Sequence, residues 1–268
     1  MAGGKKTMLD EIAGNFLAGK RLDSVYVFDA HAHIGSLNKY AMPDSNADAM
    51  IKAMDRTGID MAAISGIAAV IGGDVRFGND TCIDAVNRFS GRFFGYITVD
   101  PYNNSDIIGE IKRCEKAGLR AYKIINKTTI KPYDAKEYRP AYEYANAKGY
   151  PVLVHTWGMD DLIPLRTLAS EYTNIKWIAA HAGCIDEEEY AQLAKEMGNV
   201  YLEICLAIPR KGLIEYFVEV AGARKVLYGS DMAALSGTMQ LGRVAFAKIT
   251  KAEKEMIFGE NSRRIMGI

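Results

Sequence analysis

Only four cysteines occur in 268 residues, at positions 82, 114, 184 and 205, and no two form a Cys-x-x-Cys pair. A chain of this length can bury a sizeable core without cross-links. Sparse thiols therefore fit a reducing cytoplasm and argue against a disulfide scaffold. Net charge is missing too, because 33 Lys and Arg balance 33 Asp and Glu. With neither sign in excess, neither nucleic acid nor an anionic membrane surface is favoured as a partner. No apolar run approaches the length of a membrane span. Residues 1–20 carry lysines but no apolar core of signal-peptide length. The expectation is a soluble, cytoplasmic protein. No Gly-x-Gly-x-x-Gly follows the first strand-like segment, which counts against a dinucleotide-binding sheet.

What is present is alternation. A short amphipathic helix is expected over 7–17, with Met8, Ile12 and Phe16 on one face and Thr7 as candidate N-cap. Apolar strand-like runs follow at 25–31, 61–65, 93–99, 118–125, 151–155, 175–181, 200–205 and 225–231. Helical segments lie between them at about 45–57, 80–88, 105–116, 135–148, 161–171, 186–197 and 212–220, and the remainder from 238 reads as helical with breaks near Thr250 and Gly259. Gly58, Gly118 and Gly149 stand where helices should end, the place of a left-handed C-cap. Near-continuous apolar strands suit a parallel sheet covered by helices. Eight strand-then-helix units predict one domain over 1–268, an α/β fold of the (β/α)8 TIM-barrel type with a short N-terminal helix and a C-terminal helical extension. A doubly wound open sheet is the alternative.

Histidine is as scarce as cysteine, with four in the chain. His31 and His33 are two residues apart on the first strand, so both imidazoles face one side and can chelate a divalent metal. His155 and His181 stand at the C-terminal ends of strands five and six, and Asp231 ends strand eight. Barrel active sites form at that rim, and strand eight closes beside strand one. No histidine falls on a helix or connecting loop, as some would if they served surface or core. Each residue also has a plainer reading: a buried, backbone-bonded imidazole for His155 or His181, a helix N-cap for Asp231. Asp29 is read as a carboxylate that orients a histidine from one layer deeper.

Asp29-x-His31-x-His33-x-Gly35, His155, His181 and Gly229-Ser230-Asp231, in this order over nearly the whole chain, resemble the amidohydrolase superfamily. The branch they resemble is the amidohydrolase-2 family, which includes aminocarboxymuconate-semialdehyde decarboxylase and its relatives. The resemblance implies a barrel with a divalent metal at its mouth, zinc in the first instance, held by His31, His33, His155 and Asp231. It implies that His181, with Asp231, moves protons. Lys123, at the end of strand four, leaves two readings. In binuclear members of the superfamily such a lysine is carboxylated and bridges two ions; otherwise it binds a substrate carboxylate or forms an ion pair. One ion is favoured.

The resemblance implies a metal-dependent hydrolase that acts on a small-molecule C–N or C–O bond through an activated water. The alternatives are a non-oxidative decarboxylase or hydratase on the same scaffold, acting on a carboxylated substrate, and a non-catalytic, metal-stabilised barrel. Trp157 is a candidate pocket wall, and Lys127 and Arg210 are candidate partners for an anionic substrate. Cys205 reads as buried and inert. Residues 66–77, with Gly72 and Gly73, read as a candidate lid. The aromatic stretch 138–144 is a candidate surface for a homo-oligomer, or else packs on the barrel.

Overall fold

The computed structural model describes residues 9–37, 42–125, 132–205 and 210–268. Eight parallel strands are hydrogen-bonded in chain order. They are β1 (Phe28–Ile34), β2 (Met61–Gly66), β3 (Phe93–Thr98), β4 (Ala121–Ile124), β5 (Pro151–His155), β6 (Lys176–Ala180), β7 (Val200–Glu203) and β8 (Val226–Leu227). β8 is short, but the chain beyond it stays against β1. Tyr228 accepts from the Ala30 N–H at 2.9 Å, the Asp231 N–H donates to the His31 carbonyl at 2.8 Å, and Met232 bridges to Ala32. The sheet thus closes to a nearly complete (β/α)8 barrel, as expected.

Helices follow the strands outside the barrel: α1 (Glu11–Leu17) ahead of β1, α2 (Ala47–Thr57), α3 (Ile67–Val70), α4 (Val75–Arg88), α5 (Ile107–Lys116), α6 (Arg139–Lys148), α7 (Met159–Glu171), α8 (Glu187–Glu196), α9 (Leu213–Ala221) and α10 (Gly237–Ala245). No described helix is long and apolar enough to cross a membrane. α1 is capped by Asp10, whose side chain accepts from the Ala13 N–H; Thr7 and Met8 lie outside the described residues.

Two apolar layers follow from strand alternation. Phe28, Ala30, Ala63, Tyr96, Leu153 and Ile178 fill the barrel, and Ile265 and Met266 pack with them from the C-terminal helix. Ala32, Ile34, Ile64, Ile97, Val152 and Val154 face the helices. In β1 the pattern changes phase. Asp29 pairs with Ala62 and Ala32 with Ile64, so Ala30 and His31 together oppose Ala63. This bulge puts Phe28 and Ala30, then His31 and His33, on the inner side.

The structure adds detail to several expectations, and for the aromatic stretch it matches the reading that it packs on the barrel. The candidate lid holds α3, with Ile67, Ala69 and Val70 buried, and a Cβ on Gly66 would stand 2.2 Å from the Gly78 carbonyl oxygen. Close backbone packing pins that segment, and α4 begins earlier than expected, at Val75. The expected break at Gly259 is a π-helical turn (Met256–Glu260) between α11 (Lys251–Glu255) and α12 (Asn261–Met266), and it does not end the helix. A Cβ on Gly259 would lie 2.4 Å from the Tyr26 carbonyl oxygen, so the glycine admits the segment before β1. In the aromatic stretch, Tyr138 and Tyr142 are buried, with Tyr142 against Tyr172 and Trp177.

Candidate metal centre

The bulge in β1 turns two imidazoles toward the loop after β8. His33 Nε2 lies 3.0 Å from Asp231 Oδ1, and His31 Nε2 lies 3.8 Å from the same oxygen. His33 Nδ1 is 2.9 Å from the Ser65 hydroxyl on β2. All three candidate donors are buried. Among the described residues they form one of two groups whose donor atoms all lie within 4.8 Å of one another.

Asp231 is held by the local backbone. It adopts a left-handed conformation, φ 59°, uncommon for a residue with a side chain. Beside it, Ser230 donates its N–H to Asp29 Oδ1 at 3.0 Å and its hydroxyl to Asp29 Oδ2. Asp29 also accepts the His31 backbone N–H at 3.0 Å. Asp29 therefore ties β1 to the β8 loop through two backbone N–H groups and the Ser230 hydroxyl; among the described residues no hydrogen bond joins its carboxylate to an imidazole ring.

Lys123, at the end of β4, enters from the opposite wall. Its Nζ is 2.7 Å from His31 Nε2, and the side chain is buried. Among the described residues no carboxylate comes within ion-pair distance of it. His155 and His181 pair with each other, Nδ1 to Nε2 at 3.1 Å. His155 belongs to neither donor group. His181 follows β6 in a left-handed conformation, φ 64°, and its ring centroid lies 5.1 Å from that of His31.

The second donor group is His31, His181, Glu203 and Cys205. Glu203, fully buried at the end of β7, was not among the residues singled out from sequence. Its Oε2 lies 2.7 Å from His31 Nδ1, and Cys205 Sγ lies 3.2 Å from both His31 Nδ1 and His181 Nδ1. The signal existed: an acid in an otherwise apolar barrel strand needs a partner when buried.

Burial dominates the electrostatics. It pushes the Asp29 carboxyl up to about 7 and raises Glu203. It brings Lys123 down to about 8 and His181 down to about 3, with the His31 ring adding to the latter shift. His31 falls well below its ordinary value through burial and the Lys123 charge. For Asp231, burial works upward, but the hydrogen bond and charge of His33, with His31 and His181 behind, hold the carboxyl far below the usual range. The site therefore presents the Asp231 carboxylate and the Lys123 ammonium around two imidazoles, His31 and His181, that burial keeps uncharged.

Trp157 lies parallel to His155, with ring planes 8° apart and centroids at 6.2 Å. Arg210 is taken by Glu187, at 3.1 Å. Lys127 lies outside the described residues. A cavity of about 920 Å³ between α2 and the loop after β8 reaches Met232, next to Asp231, and is lined by Met50, Ala53, Met232, Ala233 and Leu235 among others.

The profile of the amidohydrolase family (Amidohydro_2) matches residues 28–268. Among solved structures, 5-carboxyvanillate decarboxylase from Sphingomonas paucimobilis is similar, with a TM-score of 0.71 at 16% identity over 91% of this chain and 99% of that one. A dihydroxybenzoic acid decarboxylase from Polaromonas, with bound manganese and the inhibitor 2-nitroresorcinol, gives 0.72 at 16% over 91% and 97%. A 4-oxalomesaconate hydratase from Rhodopseudomonas palustris gives 0.69 at 17% over 90% and 95%. At these identities the likeness shows the fold alone. Among curated protein sequences, none matches the chain.

Proposed function

The chain belongs to the amidohydrolase family, and from that premise we propose that it is a metal-dependent lyase, a non-oxidative decarboxylase acting on a small carboxylated molecule. The observation that supports this most is Lys123. Among the described residues this buried ammonium has only an imidazole at hydrogen-bond distance and no carboxylate within ion-pair distance, which suits it to receive an anionic group. The solved structures similar in fold include two decarboxylases of carboxylated aromatics and a hydratase.

The donor set fits a divalent ion. Two buried imidazole nitrogens and a carboxylate oxygen converge on one space, a set suited to zinc or manganese. His31, His33 and Asp231 would hold one ion; the resemblance adds His155, which here stands outside that group, paired with His181. A bound divalent ion would supply Lewis acidity at a substrate oxygen. Lys123 binds the substrate carboxylate and orients the bond to be broken. When the carbon–carboxylate bond breaks, its electron pair stays on carbon and carbon dioxide leaves. A proton then takes the vacated position: Asp231, ionised at rest, takes it from solvent at Oδ1, the oxygen that His33 Nε2 contacts at 3.0 Å, and passes it to carbon. His181 Nε2, paired with His155, exchanges protons with the substrate from the other side.

A hydrolase of C–N or C–O bonds is the second reading. His181 favours it, because its Nε2 pairs with His155 Nδ1 at 3.1 Å, and two linked imidazoles can relay a proton taken from water. Four free, buried cysteines suit a reducing cytoplasm. Assays for carbon dioxide release from hydroxylated aromatic or dienoic acids, run beside ester, lactone and amide turnover, separate the two. Turnover confined to the second panel would overturn the lyase reading. Elemental analysis with anomalous scattering gives metal identity and number.

A further inference from the structure

Glu203 has no part in the chemistry above, yet it is the most heavily contacted carboxylate beneath the histidines. Oε2 faces His31 Nδ1 at 2.7 Å, Cys205 Sγ at 3.0 Å and the His181 backbone N–H at 3.3 Å. Oε1 faces the Cys205 backbone N–H. A backbone N–H can only donate, so both oxygens are fixed as acceptors. Lys123, an ammonium, can only donate to Nε2, so the proton of a neutral His31 resides on Nδ1, facing Glu203. The Nε2 lone pair is then left free, directed at Lys123 and toward Asp231.

Space for this carboxylate comes from one glycine. A Cβ on Gly229 would stand 2.2 Å from Glu203 Oε1 and 2.6 Å from its Cδ. Gly229 does not have a positive φ, so it is the neighbouring carboxylate, and not backbone conformation, that demands a glycine there. Gly229 and Glu203 are matched parts of one arrangement, just past β8 and at the end of β7.

We propose that Glu203 is the positioning residue of the metal centre: it holds the His31 proton on Nδ1 so that Nε2 is presented to the ion, and Gly229 makes the room it needs. The proposal rests on the metal reading above, and it extends the centre to β7, a strand that supplies none of the proposed ligands. Outer partners of a metal-bound histidine contribute about 10–100-fold in metal affinity.

The first measurement is the tautomer of His31 in metal-free protein labelled with 15N-histidine, by long-range proton–nitrogen correlation. A proton on Nδ1 is expected; a neutral His31 with its proton on Nε2 would overturn the inference. The second is zinc affinity by chelator competition, with circular dichroism to confirm folding. Glu203→Gln places a donor where one acceptor stood and is expected to weaken binding by about 10–100-fold. Gly229→Ala, which displaces the carboxylate, should give a loss of the same kind and add nothing in a Glu203→Ala background. A folded Glu203→Gln protein that binds zinc within about twofold of the unaltered chain would overturn the proposal. If the unaltered chain takes up no zinc or manganese, the metal reading fails, and the tautomer still decides the role of Glu203.

Discussion

Nζ of Lys123 and Nε2 of His31 lie 2.7 Å apart, from strands on opposite sides of the barrel. One proton serves both. Burial brings Lys123 down to about 8, and burial with the Lys123 charge holds His31 well below its ordinary value, so near neutrality the ammonium donates and the imidazole accepts. A substrate carboxylate arriving here meets a cation already stripped of water, and a metal ion arriving at Nε2 competes with it.

Lys123→Met removes that cation and keeps much of the side-chain volume. A hydrogen bond to a charged group contributes about 1.5–3 kcal/mol, so KM for a carboxylated substrate should rise about 10–100-fold. Metal content, measured by elemental analysis, should stay at one ion per chain. Two ions in the unaltered protein and one in the variant would instead mark Lys123 as a carboxylated bridge.

His33 and Asp231 face each other through Nε2 and Oδ1 at 3.0 Å, two atoms that share a cation naturally. His33→Ala and Asp231→Asn should each reduce metal affinity by more than the roughly 10–100-fold that outer partners contribute. Chelator competition reads the affinity. Dialysis of the unaltered protein against chelator should abolish turnover, and restoring the ion should recover it. Turnover that survives complete metal removal would rule out the metal-dependent reading.

His181 is buried and paired with His155, and it lies outside the group formed by His31, His33 and Asp231. General acid–base groups contribute about 10²–10⁴-fold, so His181→Asn should lower kcat by that order. Metal affinity should stay close to that of the unaltered chain. A large loss of metal with little change in kcat per bound ion would make His181 a ligand instead.

Much of the barrel was legible in the sequence because each strand is an apolar run and several helices end at a glycine. β5 was located to the residue, since Pro151 and His155 bracket it. The placement of His31, His33 and Asp231 in one cluster was legible too, because strand eight of a barrel must close on strand one. The bulge at Ala30 and His31 was not: simple alternation puts Ala30 outside if His31 is inside, and only pairing with β2 shows that both are inside. Glu203 escaped for a related reason. One acid in an apolar strand says that a partner exists, but its partners are 172 residues away at His31 and next to it in space at Cys205. Sequence separation hides such contacts, whereas a two-residue spacing such as His31 to His33 reveals itself.

Away from the site, Glu110 should govern part of the acid stability. It is buried between α4 and α5, receiving two hydrogen bonds from Arg113 at 2.7 and 2.8 Å and one from Asn79 at 3.0 Å. Burial opposes its ionisation, but Arg113 and Asn79 prevail and hold the carboxyl below its ordinary value of 4.5. The folded chain therefore binds this proton less readily than the unfolded chain. The stabilisation is fully present above about pH 4.5 and is lost as pH falls through the folded value. Urea denaturation from pH 7 to pH 3 should show Glu110→Gln less stable by about 1–2 kcal/mol at neutrality, with the gap closing toward acid. A gap that stays constant with pH would show that Glu110 acts by packing alone.

The pinned segment after β2 gives a test of the fold itself. An added Cβ at Gly66 would stand 2.2 Å from the Gly78 carbonyl oxygen, and one at Gly78 would stand 2.4 Å from the Ala69 Cβ. These contacts hold β2, α3 and the first turn of α4 together. Backbone cannot swing aside as the end of a flexible side chain can, so Gly66→Ala must separate the two segments. Overpacking of this kind costs about 1–3 kcal/mol. Gly198 is the control, because a Cβ there meets nothing within 4 Å and its φ is not positive. Thermal or urea denaturation should show Gly66→Ala destabilised by that amount and Gly198→Ala unchanged or slightly more stable, through loss of freedom in the unfolded chain. If residues 66–77 instead open as a lid over the barrel mouth, Gly66→Ala would leave stability intact and slow only turnover.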